Sequence, residues 1–294
     1  MIELAAGAVG AVIDPGRGSD LVSLTLAGAE VLFRTPWRSH ADAVLAGAPG
    51  RIPGAVPGWL ERYRGGSQTV LPTVGDPGDY DQPAAYHGEA ASAAWTLAEA
   101  SADTARLTLD LFSAPISVNR LVTVTPAGLT IRDTLCNESD VAVRFDYGHH
   151  TAFGSDLLSG TLRIEADGRF TPHGGTASPW PEGTDDAGDP FRLDTVAPDD
   201  RRAVYGWLDE VPGHRIMLAP EDGPRVEFSW DGTLMPHLWV WQELSATAEF
   251  PWFRRARVVA FEPMSRPTDV TRRDGSVTLP PGGRRRTGVA FRLL

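Results

Sequence analysis

The hydrophobic positions along this chain recur every second residue. RLTLDLF (106–112), LVTVT (121–125), LTIRDTL (129–135) and VAVRFDY (141–147) alternate apolar and polar side chains. So do TLRIE (161–165), HRIMLA (214–219), RVEFSW (225–230), HLWVWQ (237–242), ARVVAFE (256–262) and the closing TGVAFRLL (287–294). Alternation carried by β-branched and aromatic residues, broken by Gly, Pro, Asn and Asp, is the strand signature. Many short strands with turn signals between them predict an all-β fold, a large sandwich or barrel. A helical period appears only briefly, over 40–47 (HADAVLAG) and 57–63 (PGWLERY). Three stretches read as loops: 76–89, 173–194 and 271–286. The second is long for a structureless connection, which makes it a candidate rim for a binding pocket. There is no internal repeat and no linker poor in hydrophobics, so the expectation is one domain over residues 1–294, a length that all-β folds accommodate.

Composition narrows the chemistry. The chain carries 27 Lys plus Arg, every one an arginine, and a formal net charge of −11. The absence of lysine removes Schiff-base chemistry and Walker-type phosphate loops. The acidic balance argues against nucleic acid and against an anionic membrane surface as partners. Cys136 stands alone, so no intrachain disulfide or thiolate metal cluster can form, and it reads as a small buried filler. The first residues have neither a basic segment nor a long apolar core, and no later run approaches the ~20 apolar residues of a membrane span. The chain therefore reads as cytoplasmic.

Candidate chemistry gathers at a few places. FDYGHHTAFG (145–154) sets His149 and His150 side by side where a strand ends. Neighbouring side chains on a strand point to opposite faces, so one of the two faces a given pocket and they do not share a metal. The H-x-H spacing of a cupin-like site is missing, and no metal is expected. Glu262, in RVVAFEPMSRP, follows an apolar run and precedes a proline. A carboxylate there is costly unless paired or set in a cleft, and burial would raise its pKa toward that of a general base. His87 lies in YHGEA after an Asp- and Gly-rich stretch, whereas His40, His173, His214 and His237 show no evident partner and read as structural or exposed. Arg64 precedes paired glycines in RYRGGSQTVLP, a segment that is neither a phosphate loop nor a nucleophile elbow. Its guanidinium fork suits hydroxyls or an anionic substituent. Nine tryptophans are many for this length, although most tryptophans fill cores.

The ordered set RGGSQTVLPTVGD (64–76), YHGEA with Trp95, FDYGHHTAFG (145–154), MPHLWVWQE (235–243) and AFEPMSRPTD (260–269) resembles the aldose 1-epimerase (galactose mutarotase-like) family. The resemblance implies a large antiparallel β-sandwich, the galactose mutarotase-like supersandwich, with a sugar in a cleft on one sheet. It implies His150 as the acid, from a His-Thr-x-Phe pattern, and Glu262 as the base. It implies His87 and Arg64 as sugar-binding residues, and Gln68 and Trp241 belong to the same stretches. The family's sugar-gripping aspartate has no clear counterpart: Asp231 is one candidate, and Gln242 or Glu243 another. The implied reaction interconverts the α and β anomers of an aldose by opening and closing its ring, with no metal and no cofactor. A neutral hexose is the default substrate, while the arginines permit a phosphorylated or otherwise anionic sugar. The alternatives are a carbohydrate-binding or sensing protein without turnover on the same fold, and a different isomerase or a metal-dependent β-sandwich enzyme.

Overall fold

The structure is a computed structural model and describes residues 1–50, 52–76, 84–184, 190–267 and 275–294. Its strands form two large antiparallel sheets packed face to face, so the expected sandwich is the fold. Among the described residues the first sheet has eleven strands. Its path runs Ile2–Ala6, Val9–Asp14, Asp20–Leu26, Ser67–Val70, Gly148–Phe153, Arg257–Met264, His237–Leu244, Ala203–Asp209, Arg169–Pro172 and Ser178–Pro179, with Ala29–Glu30 beside Asp20–Leu26. The second sheet has nine strands and centres on Ile116–Thr125, Gly128–Asn137 and Arg284–Leu293.

The period-two pattern explains the packing. Leu238, Val240 and Leu244 turn into the core between the sheets, while Trp239 and Trp241 on the same strand turn outward. Phe153 of the first sheet meets Phe228 of the second at 5.5 Å between ring centroids, and Phe228 meets Phe291 at 5.0 Å. The core is thus a layer of interlocked aliphatic and aromatic side chains, as expected for aligned sheets.

The amino-terminal strands carry weaker alternation because alanine and glycine occupy positions such as Gly10 and Ala11. Thr96–Ala100 is exposed at every residue and closes the edge of the second sheet, so it lacks an apolar face to detect. The stretch 141–147 reads as one strand but is divided. Val143–Phe145 pairs with Val277–Leu279, and the first sheet resumes at Gly148. Asp146, at the break, accepts hydrogen bonds from the Ser276 amide (2.9 Å) and hydroxyl (2.7 Å). The two helices fall where expected: α1 is Arg38–Leu45 and α2 is Ala55–Arg62. The stretch 173–194 is not structureless, since Glu182–Thr184 pairs with Pro190–Arg192. Residues 77–83, 185–189 and 271–274 of the three expected loops lie outside the described residues.

One polar network crosses the core. Arg120 of the second sheet forms a two-pronged pair with Asp133 (2.8 and 2.6 Å), both fully buried. The guanidinium also reaches across to the Thr69 hydroxyl of the first sheet and lies over the Trp95 ring at 4.5 Å. The Tyr147 hydroxyl donates to Asp133 (2.6 Å) and lies 2.9 Å from His149 Nε2. Since that hydroxyl spends its proton on Asp133, His149 must be the donor in the second bond. Burial and the nearby Arg120 charge hold the His149 pKa down at about 3, so the ring is neutral. His149 is therefore a structural residue turned into the core, as strand parity requires once its neighbour faces out.

Removing one partner of a buried pair leaves the other charge unpaired and is strongly destabilising. Asp133→Asn is expected to lower the unfolding free energy by about 3–5 kcal/mol, read from urea denaturation. A loss of under about 1 kcal/mol, the scale of an exposed pair, would mean that the network does not hold the sheets together.

Candidate active site

The outward face of the first sheet carries a cavity of 490 Å³. Cross-strand register builds its floor. His150 and Gln68 are partners across one ladder, and Trp239 and Glu262 across another. The strands Gly148–Phe153 and Arg257–Met264 are neighbours, with Ala152 opposite Ala260 and Gly148 opposite Met264. This places His150 beside Glu262, with His150 Nε2 3.4 Å from Glu262 Oε1. Period two then makes the facing positions predictable: 150, 152, 258, 260, 262, 239 and 241 share the outer face.

The walls come from elsewhere in the chain. Helix α2 brings Trp59 and Leu60, and Tyr63 follows it; Tyr86, His87 and Asp76 come from the segment after Ser67–Val70. His173, Tyr205, Trp252 and Arg266 complete much of the lining. Trp59 stacks on Tyr63 at 4.6 Å, and the His150 ring lies edge-on to both, at 5.7 and 5.4 Å. The His87 ring is 5.2 Å from that of His150. His87 adopts a left-handed backbone (φ 58°), a conformation that costs free energy for a side chain of this size. The Gly75 amide donates to His87 Nδ1 (3.3 Å), so the neutral ring carries its proton on Nε2.

Burial sets the protonation of the pair. Glu262 is 3% exposed, and its pKa rises to about 8 because the carboxylate has lost its water. The same desolvation lowers His150 to about 4, and holds His87 well below its ordinary value, with the His150 charge adding to that effect. Between those limits the unliganded pair holds one proton, and burial favours placing it on Glu262 with His150 neutral. The two groups are coupled, so the titration belongs to the pair. The arrangement is one proton donor and one proton acceptor in a water-poor pocket.

The other residues singled out in the sequence have mixed placements. Trp241 lines the cavity, as do His87, His150 and Glu262. Arg64 does not. The backbone is extended at Tyr63, so the next side chain turns the other way, and Arg64 pairs with Asp14 (2.5 Å) and Asp42 (3.7 Å). Gln68 shares the His150 face but is tied down, donating to Asp20 (2.7 Å), whose pKa burial raises to about 7. Gln242 faces inward between Trp241 and Glu243, receiving a hydrogen bond from Arg202 Nε (2.8 Å) and donating to the Leu193 carbonyl (3.1 Å). Glu243 accepts bonds from the amides of Ala246 and Thr247 and serves a turn. Asp231 sits after a strand of the second sheet, takes the Thr233 amide at 3.0 Å and lines a groove on that sheet. Period two alone excludes Gln242 from the Trp241 face, and sheet membership excludes Asp231.

Of the remaining histidines, His40 lies 2.9 Å from Glu61 and His237 2.6 Å from Asp209, while His214 stacks on Trp230. His173 is exposed and lines the cavity beside Tyr205, so the 173–194 stretch does contribute to its rim. Missing from the sequence reading were Trp59, Tyr63, Asp76, Tyr86, Tyr205, Trp239, Trp252 and Arg266. Trp239 had a signal, two residues from Trp241 on one strand. Tyr205 lies opposite Trp241 on the strand Ala203–Asp209, and the rest are set by loops and a helix whose path no local pattern encodes. Among the described residues no cluster of three or more metal-ligating side chains occurs, and no helix is long and apolar enough to cross a membrane.

No protein-family model matches the chain, and no curated protein matches it by sequence. Solved structures do. A candidate aldose 1-epimerase of Escherichia coli K12 superposes with a TM-score of 0.71 at 17% identity, over 99% of this chain and 98% of its own. A galactose mutarotase-like protein of Lactobacillus casei gives 0.68 at 17% identity over 100% of both chains. Another, from Clostridium acetobutylicum, gives 0.60 at 16%, over 99% and 94%. The chain has the galactose mutarotase-like fold. At this identity the likeness carries the architecture, and the activity has to be argued from the site.

The Glu262 pKa generates a stability test. The folded-state value of about 8 lies above the ordinary 4.5, so the native state binds a proton that the unfolded chain releases. That contribution is fully present below pH 4.5 and is lost as pH rises through 8. Glu262→Gln does not titrate, so its Tm relative to wild type is expected to rise from pH 5 to pH 8.5. The corresponding change is on the order of a few kcal/mol, at about 1.4 kcal/mol per pKa unit. A Tm difference independent of pH would show that Glu262 is not held protonated by burial.

Proposed function

We propose that the protein is an aldose 1-epimerase, interconverting the α and β anomers of a sugar that binds in the cavity beside His150 and Glu262. The observation that carries this reading is the buried pair itself: a carboxyl and an imidazole 3.4 Å apart, surrounded by aromatic rings. Ring opening needs one group to take the proton of the C1 hydroxyl and another to give a proton to the ring oxygen. Two groups sharing one proton supply both.

The proton count closes. Transfer of the shared proton from Glu262 to His150 gives a carboxylate and an imidazolium, a form favoured when sugar hydroxyls bond to the carboxylate. Glu262 then takes the C1 hydroxyl proton while His150 Nε2 protonates the ring oxygen, and the C1–O5 bond breaks. What remains is the open-chain aldehyde with a protonated Glu262 and a neutral His150, the state that burial favours. Rotation about C1–C2 presents the other face of the carbonyl, and the same transfers in reverse close the ring. Trp59, Tyr63, Trp239 and Trp241 offer apolar faces to the sugar ring and exclude water. His87, with its proton on Nε2, offers a donor to a sugar hydroxyl. No step calls for a metal or an organic cofactor.

Mutarotation followed by polarimetry in a weakly catalytic buffer tests the reading. Wild type is expected to accelerate equilibration of an aldose, and Glu262→Gln and His150→Gln each to lower kcat/KM by about 10²- to 10⁴-fold. Saturable sugar binding without any acceleration would instead identify a carbohydrate-binding protein. The pH profile of kcat/KM is expected to be bell-shaped, with limbs near 4 and 8. Below the lower limb both groups are protonated and the acceptor is lost; above the upper limb both are deprotonated and the donor is lost. A rate that rises monotonically through pH 9 would remove Glu262 from the donor–acceptor pair.

A further inference from the structure

Two buried atoms of the first sheet, His150 Nδ1 and Gln68 Oε1, have no hydrogen-bond partner among the described residues. Such atoms are rare in folded proteins and costly where they occur. These two belong to cross-strand partners, since His150 opposes Gln68 in the ladder between Gly148–Phe153 and Ser67–Val70. Directly opposed side chains stand on one face with Cβ atoms about 4.5–5.5 Å apart. The Gln68 amide is oriented from behind. Its Nε2 donates to Asp20 Oδ2 (2.7 Å), and Arg17 Nε lies 3.9 Å from the same oxygen. The amide nitrogen is thereby spent on Asp20, which leaves Oε1 as the unused acceptor. Behind it, Arg17 Nη2 and Asp20 Oδ1 also lack partners, a donor and an acceptor of one ion pair.

The proton count of the acid–base pair says what Nδ1 needs. With Glu262 protonated and 3.4 Å from Nε2, the neutral His150 ring accepts at Nε2 and carries its own proton on Nδ1. In the imidazolium both nitrogens carry protons. Nδ1 is a donor in both states. Its own main-chain carbonyl favours the charged ring but stands outside hydrogen-bond geometry. The rings around His150 offer little else. His87 has its acceptor nitrogen engaged by the Gly75 amide, and the indoles of Trp59 and Trp241 are donors only. Tyr63, edge-on at 5.4 Å, has a buried hydroxyl that also lacks a partner, which makes it the competing acceptor.

We propose that Gln68 is the positioning residue of the acid: its Oε1 accepts the Nδ1–H of His150 while Asp20 holds the amide from behind. The chain Asp20–Gln68–His150–Glu262 fixes the imidazole with Nε2 toward the reacting atoms and stabilises the imidazolium without taking its proton. The inference rests on the aldose 1-epimerase reading for the role of His150 and adds a residue to it.

Two readouts separate the contact from the activity. In 15N-labelled wild type at pH 7, the His150 ring, assigned by its loss in His150→Gln, is expected to carry its proton on Nδ1. That proton is expected downfield, with a through-space contact to the Gln68 side chain. Gln68→Met keeps the length and removes the acceptor, and is expected to move the proton upfield. The same variant is expected to lower kcat about ten- to hundredfold, the worth of a hydrogen bond to a charged group, with a smaller change in KM. Gln68→Glu restores an acceptor and is expected to recover most of that loss. A glutamine that only fills space predicts the reverse order, because methionine would be tolerated and a second carboxyl beside Asp20 would not. A wild-type proton on Nε2, a Nδ1 proton that responds to Tyr63→Phe and not to Gln68→Met, or a folded glutamate variant slower than the methionine one would each overturn the inference. Should wild type accelerate no aldose, the enzymatic reading falls, and the wild-type spectrum still decides the contact.

Discussion

The buried ion pair between Arg120 and Asp133 is the constraint on which the rest of the molecule depends. It lies in the core between the sheets, where an unpaired charge is intolerable, and its hydrogen bonds run to both of them. Through Tyr147 it reaches His149, and so fixes the strand that carries His150. Because adjacent side chains on a strand diverge, anchoring His149 inward turns His150 outward. The second ladder, with Trp239 opposite Glu262, then brings the carboxyl to the imidazole. The position of the candidate acid–base pair follows from a polar contact on the far side of the same strand.

The chemistry of the pair follows from its burial. In water a glutamate and a histidine at neutral pH would be a carboxylate and a largely neutral imidazole, with no proton between them to move. Here desolvation raises one group and lowers the other until they hold a single proton over the physiological range. Perturbed titratable groups that converge in a cleft are a functional signal. The His149–Asp133 region shows the contrasting case. Its groups are as deeply buried, but their hydrogen-bonding capacity is spent on one another within the core. Burial alone therefore does not mark a site.

The walls of the cavity are assembled from distant parts of the chain. Helix α2, the segment around His87 and the turn carrying Trp252 contribute a wall that no single strand contains. Four of the nine tryptophans line it, which gives the high tryptophan content a location that composition could not.

What the sequence determined by itself was whatever period two controls. The alternation from residue 106 onward marked most of the central strands and the opposite orientations of His149 and His150, and would have turned Gln242 away from the Trp241 face. Alternation is a local consequence of backbone geometry, so it survives without knowledge of the fold. Strands rich in alanine and glycine, such as Val9–Asp14, escaped because their buried and exposed residues differ little in polarity. Only the tertiary structure decided which side chains meet. Arg64 sits beside paired glycines in sequence, yet its charge is taken up by Asp14 and Asp42. Asp231 belongs to the wrong sheet, and Asp76 and Arg266 converge on the cavity from positions 190 residues apart. Register between strands far apart in the chain is set by the packing of whole faces, and no local pattern records it.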